Sequence, residues 1–252
     1  MSGETARDRT VFAITGNDRV HFLQGLVSNE LPEPGAGLVY AALLTPQGKY
    51  LADFFLLAED DRILLDVASS LASGLSKRLS MYKLRADVTI TPTDLAVHRG
   101  LATPPAGAFA DPRHPELGWR LYGDAAGNSA EIDWDAIRVA HCIPETGIEL
   151  LPNETFILEA NFEALHGVDF RKGCYVGQEV TARMKHKTEL RKGFATVAVS
   201  GAAEPGTPIT RDGKAVGTLF TRSGDAAIAY LRFDRAGENM VAGDAEVTLA
   251  AT

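Results

Sequence analysis

The sequence predicts an α+β body followed by a small β-barrel, and three observations predict it. Residues 38–57 carry two apolar runs around Pro46-Gln47-Gly48-Lys49, the pattern of a hairpin. A strand and an amphipathic helix follow directly, an order that suits an α+β sandwich rather than a doubly wound sheet. From Leu190 onward, short strand-like runs are punctuated by Gly201, Gly206, Gly213, Gly224, Gly237 and Gly243, the spacing of a small barrel. The body is expected over residues 1–188, built of two interleaved subdomains, and the barrel over 189–252.

In chain order, Val11-Phe12-Ala13-Ile14 is a short strand. Thr15-Gly16-Asn17-Asp18 is a turn ending in helix-capping residues, and Val20, Leu23, Leu26 and Val27 extend a helix to about Ser28. His21 lies on that helix as an ordinary polar-face residue. Pro32, Pro34, Gly35 and Gly37 make a loop before the hairpin, whose strands run Val39 to Leu44 and Tyr50 to Leu57. Ile63 to Val67 is a third strand. Ser69 to Lys83 is a helix with Leu71, Leu75, Leu79 and Tyr82 on one side and Lys77, Arg78 and Lys83 on the other. Residues 86–125 read as short strands and loops, Trp119 to Tyr122 among them, and Asp133 to Cys142 as a short helix. The barrel strands are Phe194–Val199, Pro208–Thr210, Ala215–Phe220, Ala226–Leu231 and Ala245–Leu249.

Composition excludes several classes. At 252 residues, 45% hydrophobic and 23% charged, the chain has the profile of a soluble globular protein. No apolar run approaches the roughly 20 residues of a membrane span. The first residues are polar and show no signal-peptide core. Neither GxGxxG nor GxxxxGK[ST] occurs, so no dinucleotide or P-loop site is indicated. Two cysteines, Cys142 and Cys174, make neither a disulfide framework nor a CxxC pair, which suits a reducing cytoplasm. A conventional iron–sulfur cluster takes about four cysteine ligands, so one chain cannot hold one alone.

Charge is distributed unevenly. Residues 171–192 hold seven Lys/Arg against two acids, +5 on a chain of net −8. That favours a local anion site over a general polyanion surface. Within it, Arg171-Lys172-Gly173-Cys174-Tyr175-Val176-Gly177-Gln178-Glu179 concentrates a thiol, two glycines, an amide, a carboxylate and cations. A cysteine reacts as its thiolate, which nearby cations and a helix N-terminus favour. Gly177 to Met184 reads as a short helix starting just after Cys174. The competing reading is an inert cysteine in a glycine turn. Cys142 lacks cationic surroundings and reads as structural. Asp53 interrupts an apolar strand, so it is either paired in a cavity or solvent-facing on an edge strand.

Lys172-Gly173-Cys174-Tyr175-Val176-Gly177-Gln178-Glu179 resembles the K-G-C-[FY]-x-G-Q-E signature of the YgfZ family, folate-binding proteins related to the glycine-cleavage aminomethyltransferase. Further matches fall in the family's order: Phe22-Leu23-Gln24-Gly25, Thr45-Pro46-Gln47-Gly48-Lys49, Ala52-Asp53-Phe54, Asp111-Pro112-Arg113 with Leu117-Gly118, Pro152-Asn153-Glu154 and Leu158-Glu159-Ala160-Asn161. The resemblance covers nearly the whole chain. It implies an aminomethyltransferase-like folate-binding fold with a shortened C-terminal barrel. It implies a tetrahydrofolate or related reduced folate as cofactor, with Glu159, Asp53, Gln178 and Arg183 at the folate. It places Cys174, Lys172 and Asp53 in the chemistry, and no metal ligands. Asn161 stands where the aminomethyltransferases commonly carry glycine, and the Lys-Gly-Cys segment replaces their downstream pattern, which weakens any claim to the parent reaction.

Three readings compete. The first is a cytoplasmic folate-binding protein that supports iron–sulfur cluster assembly or repair. Its partners are then assembly proteins or client iron–sulfur enzymes, tRNA-modifying ones included, with no direct contact to nucleic acid or membrane. The second is a folate-dependent aminomethyl or one-carbon transferase using Asp53. The third is a folate-independent adaptor that keeps the fold. Tetrahydrofolate affinity separates the third from the others, and turnover with an aminomethyl donor separates the second from the first.

Overall fold

The structure, a computed structural model, describes residues 3–123, 132–186 and 189–250. The chain divides into two compact units, Met1–Ile132 with Glu163–Val180, and Asp133–Phe162 with Thr181–Thr252.

The first unit holds β1 (Glu4–Thr5), β2 (Arg9–Thr15), α1 (Arg19–Gln24), β3 (Leu38–Leu44), β4 (Tyr50–Ala58), β5 (Ile63–Ala68), α2 (Ser69–Lys83), β6 (Thr89–Pro92), β7 (Ala96–Gly100), β8 (Phe109–Ala110) and β9 (Trp119–Gly123). Two antiparallel sheets form, in the orders β3-β4-β5-β2-β6 and β1-β7-β9-β8. Strands β4 and β5 are buried almost throughout, which is why they read as apolar runs rather than alternating ones. One face of the larger sheet carries Ala52, Phe54, Leu56, Leu65 and Val67 against Phe22 and Leu23 of α1 and Ala72, Leu75 and Leu79 of α2. Each of those leucines contributes about 2 kcal/mol by burial. The opposite face carries Tyr40, Asp53, Phe55 and Asp66.

One irregularity in the hairpin decides which side chains share a face. Leu43 faces Ala52 and Leu44 faces Tyr50, so Leu51 has no partner across the ladder. This bulge resets the alternation of side chains. Tyr50 and Asp53, three residues apart, therefore meet on the same face.

The second unit holds α3 (Trp134–Ala140), most of α4 (Gln178–His186), and β10 (Lys192–Ser200), β11 (Pro208–Arg211), β12 (Lys214–Ser223), β13 (Ala226–Arg232), β14 (Met240–Ala242) and β15 (Ala245–Leu249). Its six strands close into a barrel in the order β10-β13-β12-β11-β14-β15. Val197, Val199, Ile209, Val216, Leu219, Leu231 and Val247 fill it. Asp133 caps α3 by accepting the Ala136 N–H at 2.9 Å. Buried Arg138 on α3 donates to Glu149 Oε2 at 2.5 Å, and Glu149 Oε1 accepts the Thr221 hydroxyl at 2.5 Å, which ties α3 to β12.

The α+β layers and the C-terminal barrel are those the sequence predicts. Four local readings change. The barrel has a sixth strand, β14, beyond the five the sequence predicts. Helix α1 stops at Gln24 rather than Ser28, because the Ser28 N–H is drawn to the Ala42 carbonyl of β3 at 2.9 Å. Asp18 does not cap that helix; its carboxylate accepts the Asp87 N–H at 2.8 Å instead. The helix after Cys174 spans Gln178–His186 rather than 177–184. Lys187 of the basic run and residues 124–125 at the end of the 86–125 stretch lie outside the described residues. Among the described residues no helix is long and apolar enough to cross a membrane.

Candidate functional site

The cysteine loop is built on the corner that follows α1. Ser28 Oγ donates to the Gly167 carbonyl at 2.6 Å and accepts the Ala42 N–H at 2.8 Å. The Asp169 N–H donates to the Ser28 carbonyl at 3.1 Å. Asn29 Nδ2 donates to the carbonyls of His166 and Tyr40 at 2.6 and 2.9 Å. Lys172 then turns inward and is 6% exposed. Its ammonium donates to the carbonyls of Gln24, Val27 and Asn29 at 3.0, 2.6 and 2.8 Å. A helix end leaves such carbonyls open, and an ammonium has three protons to offer them.

The far end of the loop is equally constrained. Tyr175 is buried, with the Lys172 ammonium 5.4 Å from its ring centre, and Val176 packs on the core between the large sheet and its helices. Gly177 has φ +85°, and a Cβ there would stand 2.6 Å from the Thr45 carbonyl oxygen in the hairpin turn. Only glycine fits such a position without strain. Gly173 and Cys174 are left exposed between these anchors.

The Lys172 donors go to backbone carbonyls rather than to the Cys174 thiol. Arg171 is exposed, and its Nε lies 3.7 Å from Asp169 Oδ1. Burial pulls the Lys172 ammonium down to about 8, while Glu30 and Asp169 pull it back up. Cys142 is the packed cysteine the sequence predicts. Burial pushes its thiol up to about 11, against hydrogen bonds with Thr196 and Asn161 that favour the thiolate.

Asp53 is 5% exposed on interior strand β4, so the edge-strand alternative does not hold. Its Oδ1 accepts the Tyr50 hydroxyl at 2.6 Å and its Oδ2 the Tyr40 hydroxyl at 3.0 Å. Burial, and then the Asp53 charge, hold the Tyr40 phenol well above its usual range. Beside this group three arginines surround Phe55: the guanidinium carbons of Arg120, Arg113 and Arg9 lie 4.0, 4.9 and 5.6 Å from its ring centre. Arg113 forks onto Asp111, with 3.0 and 2.8 Å contacts, and both Arg9 and Arg120 bind Asp66, at 2.6 and 2.7 Å. Burial alone would raise the Asp66 and Asp111 carboxyls; their arginines overcome it and hold both below the usual value.

Glu159 and Arg183 belong to the second unit. Glu159 Oε2 accepts the Tyr230 hydroxyl at 2.6 Å, and burial together with this bond raises the Tyr230 phenol. Glu159 lines a cavity of about 690 Å³ with Met184, His186, Arg191, Lys192 and Asp234. Arg183 is exposed on α4. Asn161 has φ +61° and donates through Nδ2 to the Cys142 carbonyl at 3.1 Å. The left-handed backbone explains an asparagine where glycine is common, since both adopt that conformation readily.

Thus Lys172, Cys174 and the half-buried Gln178 share one segment of the first unit, and Asp53 lies within a tyrosine pair on the sheet of that unit. The sequence reading misses Tyr40, Tyr50 and Tyr230 as carboxylate partners. A buried acid in an apolar strand is the signal that calls for such donors. Among the described residues no three His, Cys, Asp or Glu side chains come together to hold a metal ion.

Residues 191–251 match the model of the CAF17 C-terminal beta-barrel domain. The chain is 33% identical over 267 residues to the iron–sulfur cluster assembly factor IBA57, mitochondrial, of Homo sapiens, covering 88% of this chain and 75% of that protein. Against the Mus musculus protein of the same name it is 32% identical over 270 residues, covering 89% and 75%. The glycine cleavage system aminomethyltransferase T from Bartonella henselae superposes with a TM-score of 0.75 over 98% of this chain and 83% of its own, at 13% identity. That similarity shows the aminomethyltransferase fold and nothing further about activity. Identity of this extent along three quarters of the human protein shows kinship at the family level, and the chain belongs to the family of the iron–sulfur cluster assembly factor IBA57.

Proposed function

We propose that the chain is a tetrahydrofolate-binding, YgfZ-type protein that supports the assembly or repair of iron–sulfur clusters in client enzymes, tRNA-modifying ones among them, in the reducing cytoplasm. The observation that carries this is the exposed Cys174 on a loop anchored at both ends. A cluster needs about four cysteine ligands. Cys142 is packed away, so Cys174 supplies one sulfur and an assembly protein or client supplies the rest. Relatives named as iron–sulfur assembly factors support the same role. Neither a nucleic acid nor a membrane is needed as a partner.

The folate half of the reading rests on Glu159. Its carboxylate is oriented by Tyr230 at the wall of a roomy cavity, with Arg191 and Lys192 available to the glutamyl tail. A carboxylate can accept two parallel N–H donors from a pterin edge. The one-carbon transferase reading has its own observation, the buried Asp53 between two tyrosine hydroxyls.

In a strain lacking the protein, Cys174→Ser should fail to restore iron–sulfur enzyme activity while melting at the parent temperature. Restored activity would remove the cysteine from the function. Glu159→Gln should weaken tetrahydrofolate binding by roughly 1–3 kcal/mol in calorimetry, because a donor replaces an acceptor. Turnover with an aminomethyl donor that depends on Asp53 would favour the transferase.

A further inference from the structure

The geometry points to Lys172 as a positioning residue: its ammonium pins the chain to the carbonyls left open after α1, so that Cys174 is held outward, and it takes no part in the chemistry of the thiol. This rests on reading Cys174 as the working residue. Among the described residues, the ammonium's hydrogen bonds go to Gln24, Val27 and Asn29, and none goes to the thiol. Those three carbonyls come from the last residue of α1 and the corner behind it, the corner that Ser28 and Asn29 tie to Gly167, Asp169 and His166. Lysine suits this task. Its compact head offers three protons in three directions, where a neutral amide offers two and a thioether none. Leaving a buried carbonyl unpaired is costly, so an apolar residue of the same length would release the corner and the loop together.

The position of Cys174 is a consequence. Lys172 and Tyr175 point inward and are buried, and the two residues between them are thereby forced to the surface. The lysine acts on the cysteine through the backbone, two residues away.

Lys172→Met tests this with two readouts. The first is hydrogen exchange at the amides of Val27, Ser28, Asp169, Arg171 and Gln178, all hydrogen-bonded in the native fold. Exchange there should quicken by about tenfold, while the amides of Leu56 and Leu65 in the sheet keep their rates. The second is the pH profile of Cys174 alkylation, whose midpoint should not move. Lys172→Arg, which keeps the charge and offers donors to the same carbonyls, should restore slow exchange. Unchanged exchange at those amides overturns the proposal. So does a shift of the alkylation midpoint by about one pH unit or more, with or without faster exchange, since that is the mark of a thiolate partner. Should Lys172→Met not fold, Lys172→Gln carries the same two readouts, with exchange expected between parent and Met. Cellular iron–sulfur activity is measured beside Cys174→Ser. Activity retained in Cys174→Ser defeats the cysteine reading and leaves the exchange result standing.

Discussion

Cys142 and Cys174 carry the same thiol in opposite settings. Cys142 is packed under Thr196 and Asn161, and burial lifts it to about 11. A thiol raised in the folded state stays protonated until the pH passes its folded value. In the native protein near pH 8, iodoacetamide should therefore label Cys174 and spare Cys142, whose labelling waits for unfolding or for about pH 11. Mass spectrometry of a time course checks this, and equal rates at the two sites would contradict it. The prominence of Cys174 was legible in the sequence, since its glycines and neighbours mark a loop. The task of Lys172 was not. Its partners are backbone carbonyls 143 to 148 residues away, and a carbonyl leaves no trace in a sequence. The partners of Asp53 were hidden for a different reason. Simple alternation puts Tyr50 and Asp53 on opposite faces, and only the bulge at Leu51 brings them together.

At the scale of elements, the two glycines of the cysteine loop have different tasks. Gly177 sits at φ +85° against the Thr45 carbonyl, whereas a Cβ on Gly173 would meet nothing within 4 Å. Gly177→Ala should cost about 1–3 kcal/mol, from backbone strain and the close carbonyl. Gly173→Ala should stay within about 0.5 kcal/mol of the parent. Urea unfolding midpoints of the two variants measure the difference, and equal values would mean that the hairpin turn does not clamp the loop. The hairpin itself was legible because two apolar runs flank a Pro-Gln-Gly turn. The end of α1 was not, because Val27 continues the apolar pattern while Ser28 is already bonded to β3.

For the whole molecule, charge buried in the first unit sets the response to acid. Asp66 is held below its usual value by Arg9 and Arg120, and Asp111 by Arg113 and Arg120. A carboxyl depressed on folding contributes fully above its unfolded value of 3.8 and loses that contribution as pH falls through its folded value. The protein should therefore weaken in acid, below about pH 4. Asp66→Asn leaves the buried Arg120 and the half-buried Arg9 each short of a partner and should cost about 3–5 kcal/mol at neutral pH. Its stability difference between about pH 7 and pH 3 should also be smaller than the parent's. Urea titrations at the two pH values test both statements. The barrel was legible from glycine spacing alone, since each glycine marks a turn between short strands. This acid–arginine cluster was not legible, because its members come from three strands and one loop whose neighbours only the sheet order reveals.

The bonds from Lys172 to the corner after α1 join residues 143 to 148 apart in the chain. Contacts of such long range close late, after the loop entropy between them has been met by other structure. During synthesis, Gln24, Val27 and Asn29 leave the ribosome long before Lys172 does. A nascent or partly folded chain therefore carries Cys174 without its frame. The cysteine is framed only once the first unit has folded, so its framing marks that unit, and not the barrel, as complete.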